Sequence, residues 1–185
     1  MLVLASTSER RQQILTAAGI PFVIRAPNVP EKQVLGESPE QYVRRLAESK
    51  AFAVEMAAEE IVLAGDTVVV SGDQILEKPR DTNDAIRMLH LLSGRVHEVI
   101  TGICLRSDSQ KIVDCASTQV HFVHLSDSEI ADYVASGEPM GKAGAYAIQG
   151  LASRFIDRVE GGYFNVVGLP ISLVYRHLKV LGYFQ

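Results

Sequence analysis

The stretch "IVLAGDTVVV", Ile61 to Val70, has the composition of a strand that is buried on both faces of a sheet. Asp66 lies at its centre, although an unpaired carboxylate in an apolar interior costs on the order of several kcal/mol. One explanation is structural, with Asp66 paired to an arginine or to backbone amides. The other is that the strand holds Asp66 at the mouth of a site, where a carboxylate holds Mg²⁺ or takes a proton from water. The apolar residues on both sides of Asp66 favour a site.

Segments typical of strands and of helices alternate along the rest of the chain. Strands are predicted over residues 2–5, 22–27, 61–70, 74–79, 97–106 and 111–125. Helices are predicted to begin after Ser6 or Ser8, at Ser38-Pro39-Glu40, at Thr82, at Ser126 and at Pro170, with the serines and Thr82 as cap residues. This order predicts one α/β domain over residues 1–185, with a mixed twisted sheet and flanking helices.

Composition and charge exclude several classes of protein. The chain has 185 residues, 47% of them hydrophobic and 22% charged, which is ordinary for a soluble globular protein. A net charge of −4 argues against a nucleic-acid-binding surface. No apolar run reaches the roughly 18 residues of a membrane span, and residues 1–11 do not resemble a signal peptide. We therefore expect a cytoplasmic protein with no membrane or nucleic-acid partner, whose cysteines, Cys104 and Cys115, are reduced.

The segment "STSERR", residues 6–11, suits a phosphate group. Its hydroxyls and amides precede a predicted helix, and Arg10 and Arg11 lie in the first turn of that helix. Basic residues there oppose the helix dipole at a cost of about a few tenths of a kcal/mol, which a bound anion would offset. The alternative is an ordinary serine cap with two exposed arginines. Lys50 and Lys78 are each typical of surface charges, and they would form a polyphosphate site only by converging on one place.

A glycine-rich stretch, "SGEPMGKAGAYAIQG", covers residues 136–150. Gly137 to Lys142 spell GxxxGK, one residue short of a P-loop, and Ala143 stands where that loop needs Ser or Thr. The stretch does not follow a predicted strand, so we reject a P-loop. Its glycines still indicate tight turns or close approach of the backbone to a ligand. The side-chain amide of Gln149 can both donate to and accept from a base edge.

Motifs along nearly the whole chain are similar to those of one known family. "LASTSERR", "AGDTVV", "EKP", "LSG…H.V.TG", "YVASGEP", "KAGAYAIQG" and "VVGLP" follow one another between residues 2 and 170. In these motifs the chain resembles the Maf family of nucleoside triphosphate pyrophosphatases. The resemblance implies a mixed α/β fold with two lobes around a cleft, akin to inosine triphosphatase-like enzymes, and often a homodimer. It also implies hydrolysis of a nucleoside triphosphate to the monophosphate and pyrophosphate, with Mg²⁺ or Mn²⁺ as the divalent cation.

The resemblance implies roles for individual residues. Asp66 corresponds to the proton acceptor that activates water, or to a metal-linked equivalent, and Glu31 to a metal or water partner beside it. The positions that set substrate specificity are Arg10, Thr67 and Gln149. The positions that bind phosphate are Ser8, Arg11, Lys50 and Lys78.

The segments "EKPRD" and "KAGAYAIQG" resemble the branch of the family that prefers dTTP and UTP, often including modified pyrimidine nucleotides. Two positions depart from the common pattern, because Glu9 replaces a proline and Gly141 replaces an aspartate. If that aspartate helps to hold the cation or to order its loop, Glu138 is the residue placed to compensate. We therefore expect a house-cleaning hydrolase of the nucleotide pool. The alternative is a nucleotide-binding regulator of cell division without turnover.

Overall fold

The computed structural model describes residues 1–184, and its fold is mixed α/β. The strands of its seven-stranded sheet are β1 (Leu2–Leu4), β2 (Phe22–Ile24), β3 (Ile61–Ser71), β4 (Gln74–Leu76), β5 (Val96–Arg106), β6 (Lys111–Phe122) and β7 (Ile156–Glu160). The α-helices are α1 (Glu9–Ala17), α2 (Pro39–Phe52), α3 (Thr82–Leu92), α4 (Asp127–Ala135), α5 (Tyr163–Val167) and α6 (Ile171–Val180). Short 3₁₀ turns occupy Ala143–Ala145 and Leu151–Phe155.

The sheet has the strand order β2-β1-β3-β5-β6-β7, and β4 pairs with β3 off this path. β1 pairs in parallel with β2 and β3, so that Val3 lies opposite Val23 and Val62. β7 pairs antiparallel with β6 and β4 antiparallel with β3, so the sheet is mixed. β3 is a central strand, as its apolar composition predicts. The predicted fold class is therefore confirmed.

The chain divides into two compact units. The first unit consists of Met1–Thr67, Thr101–Ala116 and the C-terminal segment from Gly168, and the second of Val68–Ile100 and Ser117–Val167. Three long strands, β3, β5 and β6, contribute residues to both units. The single domain over residues 1–185 stays a prediction.

Small side chains let α2 lie close against the sheet in the first unit. Its core cluster consists of Val3, Ala5, Ala47, Ala51, Val54, Val62, Ala64 and Cys104. A Cβ atom at Gly102 in β5 would overlap with the backbone of Val43 in α2. Backbone atoms cannot swing aside as a flexible side chain does, so Gly102 sets the spacing between α2 and β5. Because α2 carries Lys50 and β3 carries Asp66, this packing also positions both charges.

The cap residues of two helices agree with the sequence prediction, and the cap residue of a third differs. The side chains of Ser38 and Ser126 cap α2 and α4, as predicted. For α3 the predicted cap at Thr82 is wrong, because Asp81 is the cap residue. The Asp81 carboxylate accepts a hydrogen bond from the Asp84 amide at 2.8 Å. Asp81 has the extended backbone that a cap requires, whereas Thr82 is already helical.

Both cysteines are free, as predicted. Cys104 is buried, and burial raises the pKa of its thiol to about 12. A thiol of this kind packs as a small apolar group. Within residues 1–184, no helix has both the length and the apolar character to cross a membrane.

Candidate functional site

Asp66 is buried in β3 and is paired with a lysine. Lys50 Nζ donates a hydrogen bond to Asp66 Oδ1 at 2.6 Å, and the same ammonium lies 2.5 Å from Glu31 Oε1. Asp66 and Lys50 are 8% and 7% exposed, whereas the Glu31 side chain is 41% exposed. The partner is thus neither the arginine nor the amides of the structural explanation. Pairing does not exclude a functional role, because one carboxylate of this cluster faces solvent.

Elements far apart in sequence bring the three charges together within the first unit. Asp66 lies on the central strand β3, Lys50 in the last turn of α2, and Glu31 in the connection between β2 and α2. Two carboxylates share this ammonium, and the positive charge of Arg11 also acts on both of them.

Glu31 and Asp66 are also the two predicted metal ligands, and the shared ammonium brings their carboxylates to one place. Among residues 1–184, no group of three or more His, Cys, Asp or Glu side chains is arranged to hold a metal ion. Mg²⁺ is commonly held by one or two carboxylates together with substrate phosphates and water. The donor set therefore fits a cation that binds with a phosphate ligand, and it does not fit a metal centre built from protein alone.

Arg11 is a buried cation whose guanidinium donates to the protein itself. Its Nε donates to the carbonyl oxygen of Gly168 at 2.8 Å. Its two terminal nitrogens donate to Ser6 Oγ at 3.1 Å and to Thr67 Oγ1 at 3.3 Å. Burial lowers the pKa of Arg11, and the negative charge of Asp66 acts in the opposite direction. The alternative of an exposed arginine is therefore wrong for Arg11.

A guanidinium has five N–H groups, and three of those on Arg11 make these hydrogen bonds. Two therefore remain for an anion, as in the phosphate-binding role that was predicted. Gly65, which precedes Asp66, makes room for this side chain. A Cβ atom at Gly65 would lie 3.5 Å from Arg11 Nε and 3.1 Å from the carbonyl oxygen of Gly102.

Arg10 and Ser8 keep their side-chain polar groups available to a ligand. Arg10 is half-buried, burial lowers its pKa, and among residues 1–184 it has no ion pair or hydrogen bond through its guanidinium. Ser8 occupies the cap position of α1 with an extended backbone, but its side chain makes no capping hydrogen bond. The ordinary serine cap is therefore wrong here. A desolvated cation without an acidic partner next to an uncapped helix start suits an anion.

Thr67, the next predicted position, has a fixed hydroxyl. Its Oγ1 lies 2.9 Å from Thr101 Oγ1 and accepts the hydrogen bond from Arg11. Neither Thr101 nor Gly168 is among the site residues predicted from the sequence. The signal for Thr101 was a polar residue within an apolar strand, and it is fully buried. Gly168 acts through its carbonyl oxygen, which no residue type reveals.

Lys78 and Gln149 belong to the second unit, and both are exposed. The amide of Gly144 donates to the carbonyl oxygen of Glu77 at 3.1 Å, which ties the glycine-rich stretch to the segment that carries Lys78. The other predicted site residues belong to the first unit; they are Ser8, Arg10, Arg11, Glu31, Lys50, Asp66 and Thr67.

Comparisons with known proteins show which proteins this chain is similar to. A family model described as "Maf-like protein" matches residues 1–181. A dTTP/UTP pyrophosphatase of Koribacter versatilis is 49% identical over 182 residues, covering 98% of this chain and 94% of the relative. A protein of the same name from Vibrio cholerae is 50% identical over 174 residues, covering 92% of each chain. The solved structure of the Staphylococcus aureus Ham1 protein has a TM-score of 0.53 and 13% identity, covering 96% of this chain and 97% of its own, and it shows a common fold.

Proposed function

Because the chain belongs to the Maf family, we propose that it hydrolyses dTTP and UTP to the monophosphate and pyrophosphate, and that it acts on modified pyrimidine nucleotides as well. In this role it removes unwanted nucleotides from the nucleotide pool. The observation that carries the proposal is the buried Asp66 carboxylate, held by Lys50 on a central strand. Two relatives that are 49% and 50% identical to this chain are named dTTP/UTP pyrophosphatase, which supports dTTP and UTP as the proposed substrates.

In the proposed reaction, a water oxygen attacks the α-phosphorus and forms a new P–O bond. The bond from the α-phosphorus to the oxygen that bridges to the β-phosphate breaks, and pyrophosphate leaves with that oxygen. Asp66 accepts the water proton on Oδ2, because Oδ1 accepts the hydrogen bond from Lys50. A strand in the middle of the sheet keeps the base in place during the reaction.

The phosphates of the substrate are the ligand that we assign to the cations. Arg10 is desolvated and has no acidic partner among residues 1–184, so a phosphate compensates its charge. Arg11 contributes its two remaining N–H groups, and Ser8 its hydroxyl and the adjoining helix start. Lys50 and Lys78 complete the proposed set. Such preorganised donors stabilise the charge that develops on the phosphates during the transition state.

We propose Glu31 and Asp66 as the ligands of Mg²⁺ or Mn²⁺. The two carboxylates meet at one ammonium, and carboxylate oxygens are the ligands that these cations prefer. When bound, the cation would neutralise phosphate charge and polarise the phosphoryl group. We also propose that Arg10, Thr67 and Gln149 select the nucleotide, and that the protein acts as a homodimer in the cytoplasm.

A panel of nucleoside triphosphates tests this function. The purified protein is incubated with dTTP, UTP, CTP, ATP and GTP in Mg²⁺ or Mn²⁺, and the products are separated by chromatography. The proposal predicts monophosphate and pyrophosphate from dTTP and UTP, and little product from the purines. Diphosphate and orthophosphate would mean attack at the γ-phosphorus and would contradict it. Tight nucleotide binding without any turnover would favour the regulatory alternative.

A further inference from the structure

Gln149 is an exposed side chain on a backbone that is fixed on both sides. We call residues 146–152 the Gln149 loop. Tyr146 and Ile148 in this loop are 6% and 8% exposed. Gln149, which follows Ile148, is exposed to solvent. A polar side chain held out on a rigid backbone is the arrangement that recognition of a ligand requires.

One carboxylate and one phenol hold the two sides of this loop. Glu138 Oε2 accepts from the amide of Leu151 at 2.9 Å, and Glu138 Oε1 accepts from the amide of Ala152 at 3.3 Å. On the other side of Gln149, the amide of Ala147 donates to Tyr133 Oη at 3.3 Å. The two holding groups are themselves joined, because Tyr133 Oη donates to Glu138 Oε1 at 2.8 Å.

Gly150 shows how closely this carboxylate contacts the loop. A Cβ atom at Gly150 would overlap with the Glu138 carboxylate. The φ angle of Gly150 is −108°, which other residues also adopt, so the turn itself does not demand glycine. The space that the Glu138 side chain occupies therefore explains the glycine that follows Gln149.

The ionisation of the two holding groups favours the same arrangement. Burial raises the pKa of Glu138, but hydrogen bonds from Leu151, Tyr133 and Ala152 outweigh it, so the pKa lies below its ordinary value. Burial raises the pKa of Tyr133, and its hydrogen bond to Glu138 acts in the same direction. At neutral pH an ionised acceptor therefore faces a protonated donor.

If Glu138 replaces the aspartate that is absent at position 141, it either holds the cation or orders the loop, and these contacts decide between the two functions. Both of its carboxylate oxygens accept hydrogen bonds from its own unit. The carboxylate thus orders the loop, and no metal is needed to compensate it. A hydrogen bond between Tyr146 Oη and His97 Nε2, which are 2.8 Å apart, fixes the start of the loop.

From this geometry we propose that Glu138 and Tyr133 are positioning residues for base recognition, which orient the Gln149 amide towards the base of the nucleotide. The inference rests on the proposed function, since it assigns Gln149 a nucleotide base as its ligand. An amide distinguishes bases only when its donor and acceptor point in fixed directions, so the supporting hydrogen bonds determine selectivity.

Tyr133→Phe tests the inference, because it removes one hydroxyl and keeps the ring that packs on Phe155. Glu138→Gln is the second variant, and Tyr175→Phe, at an exposed tyrosine of the first unit, is the matched control. Each protein is assayed with dTTP and with 2-deoxyribose 5-triphosphate, which has the phosphates but no base. We expect Tyr133→Phe to lower kcat/KM for dTTP by about tenfold and to leave the base-free substrate unchanged.

The same substitution is then made in a Gln149→Ala background. If Tyr133 acts through Gln149, the double variant loses no more activity on dTTP than Gln149→Ala alone. Equal losses on both substrates, or losses that multiply in the double variant, would overturn the inference. If the native protein turns over neither dTTP nor UTP, the proposed function fails instead. Calorimetric binding of a non-hydrolysable dTTP analogue to the same variants then decides the inference, and a Tyr133→Phe variant that binds as tightly as the native protein would overturn it.

Discussion

Replacing Lys50 with methionine removes the cation from a buried cluster while keeping most of the aliphatic stem that packs around it. Lys50 and Asp66 are nearly inaccessible to solvent, and the ammonium and the carboxylate are in direct contact at 2.6 Å. Leaving one partner of a buried ion pair uncompensated typically costs about 3–5 kcal/mol. With an m-value of about 2 kcal/mol per M urea, this loss lowers the unfolding midpoint by roughly 1.5–2.5 M.

An exposed pair in the same unit provides the matched control. Lys111 lies 2.5 Å from Glu48, and the two side chains are 47% and 39% exposed. The distance and the chemistry match those of the buried pair, so burial is the main difference. Solvent-exposed pairs contribute about 0–1 kcal/mol. We therefore expect Lys111→Met to move the urea midpoint by less than about 0.5 M.

Urea unfolding followed by far-UV circular dichroism measures both variants, since the chain has no tryptophan for fluorescence. The double variant Lys50→Met/Asp66→Asn carries neither charge and should regain a large part of the stability that Lys50→Met loses. Equal midpoints for Lys50→Met and Lys111→Met, with no recovery in the double variant, would refute the view that Lys50 compensates a buried Asp66.

Three further perturbations test separate parts of the structure. Gly102→Ala should destabilise the protein by about 1–3 kcal/mol or more, because the added methyl group overlaps with the backbone of α2. The control Gly162→Ala, whose methyl group makes only ordinary contacts, should destabilise the protein less, and urea unfolding measures both variants. Burial lowers the pKa of His97 from 6.5 to about 4, so the unfolded chain binds more protons between these values, and stability should fall by up to about 3 kcal/mol as the pH drops through this window. In His97→Gln, the free energy of unfolding should change less than in the native protein between pH 7 and about pH 4.5. An equal change in both proteins would contradict the role of His97 in this pH dependence. Glu31→Gln should weaken calorimetric Mn²⁺ binding in the presence of a non-hydrolysable nucleotide by about tenfold, whereas the exposed Glu55→Gln should bind like the native protein.

Much of the fold could be predicted because it follows from local patterns. The apolar composition of "IVLAGDTVVV" predicts a central strand, and serines at Ser38 and Ser126 predict helix starts at their positions. The error at Thr82 arises where two residues able to cap a helix are adjacent. Either side chain can accept the hydrogen bond, and the backbone conformation of Asp81 decides between them.

The site was less predictable, because its contacts join distant parts of the chain. The residue types around Asp66 favoured a site, and the resemblance to the Maf family pointed to the same cluster of charges. Sequence alone does not show that Arg11 is buried, since its guanidinium donates to the carbonyl oxygen of Gly168, 157 residues away. Nor did it show that Lys50 is the partner of Asp66, because a lysine in a helix is usually a surface charge.

The most direct test of the account compares the turnover of dTTP by Asp66→Asn and Asp73→Asn. Asp73 is an exposed aspartate in the turn after β3. The two variants therefore make the same substitution at a buried position and at an exposed position close by in the sequence. Asparagine keeps the shape of Asp66 but cannot accept the proton of water as a carboxylate does. We predict that Asp66→Asn loses turnover by about 10²–10⁴-fold with its fold intact, while Asp73→Asn keeps the native rate. An Asp66→Asn variant that forms dTMP and pyrophosphate at the native rate would contradict the account.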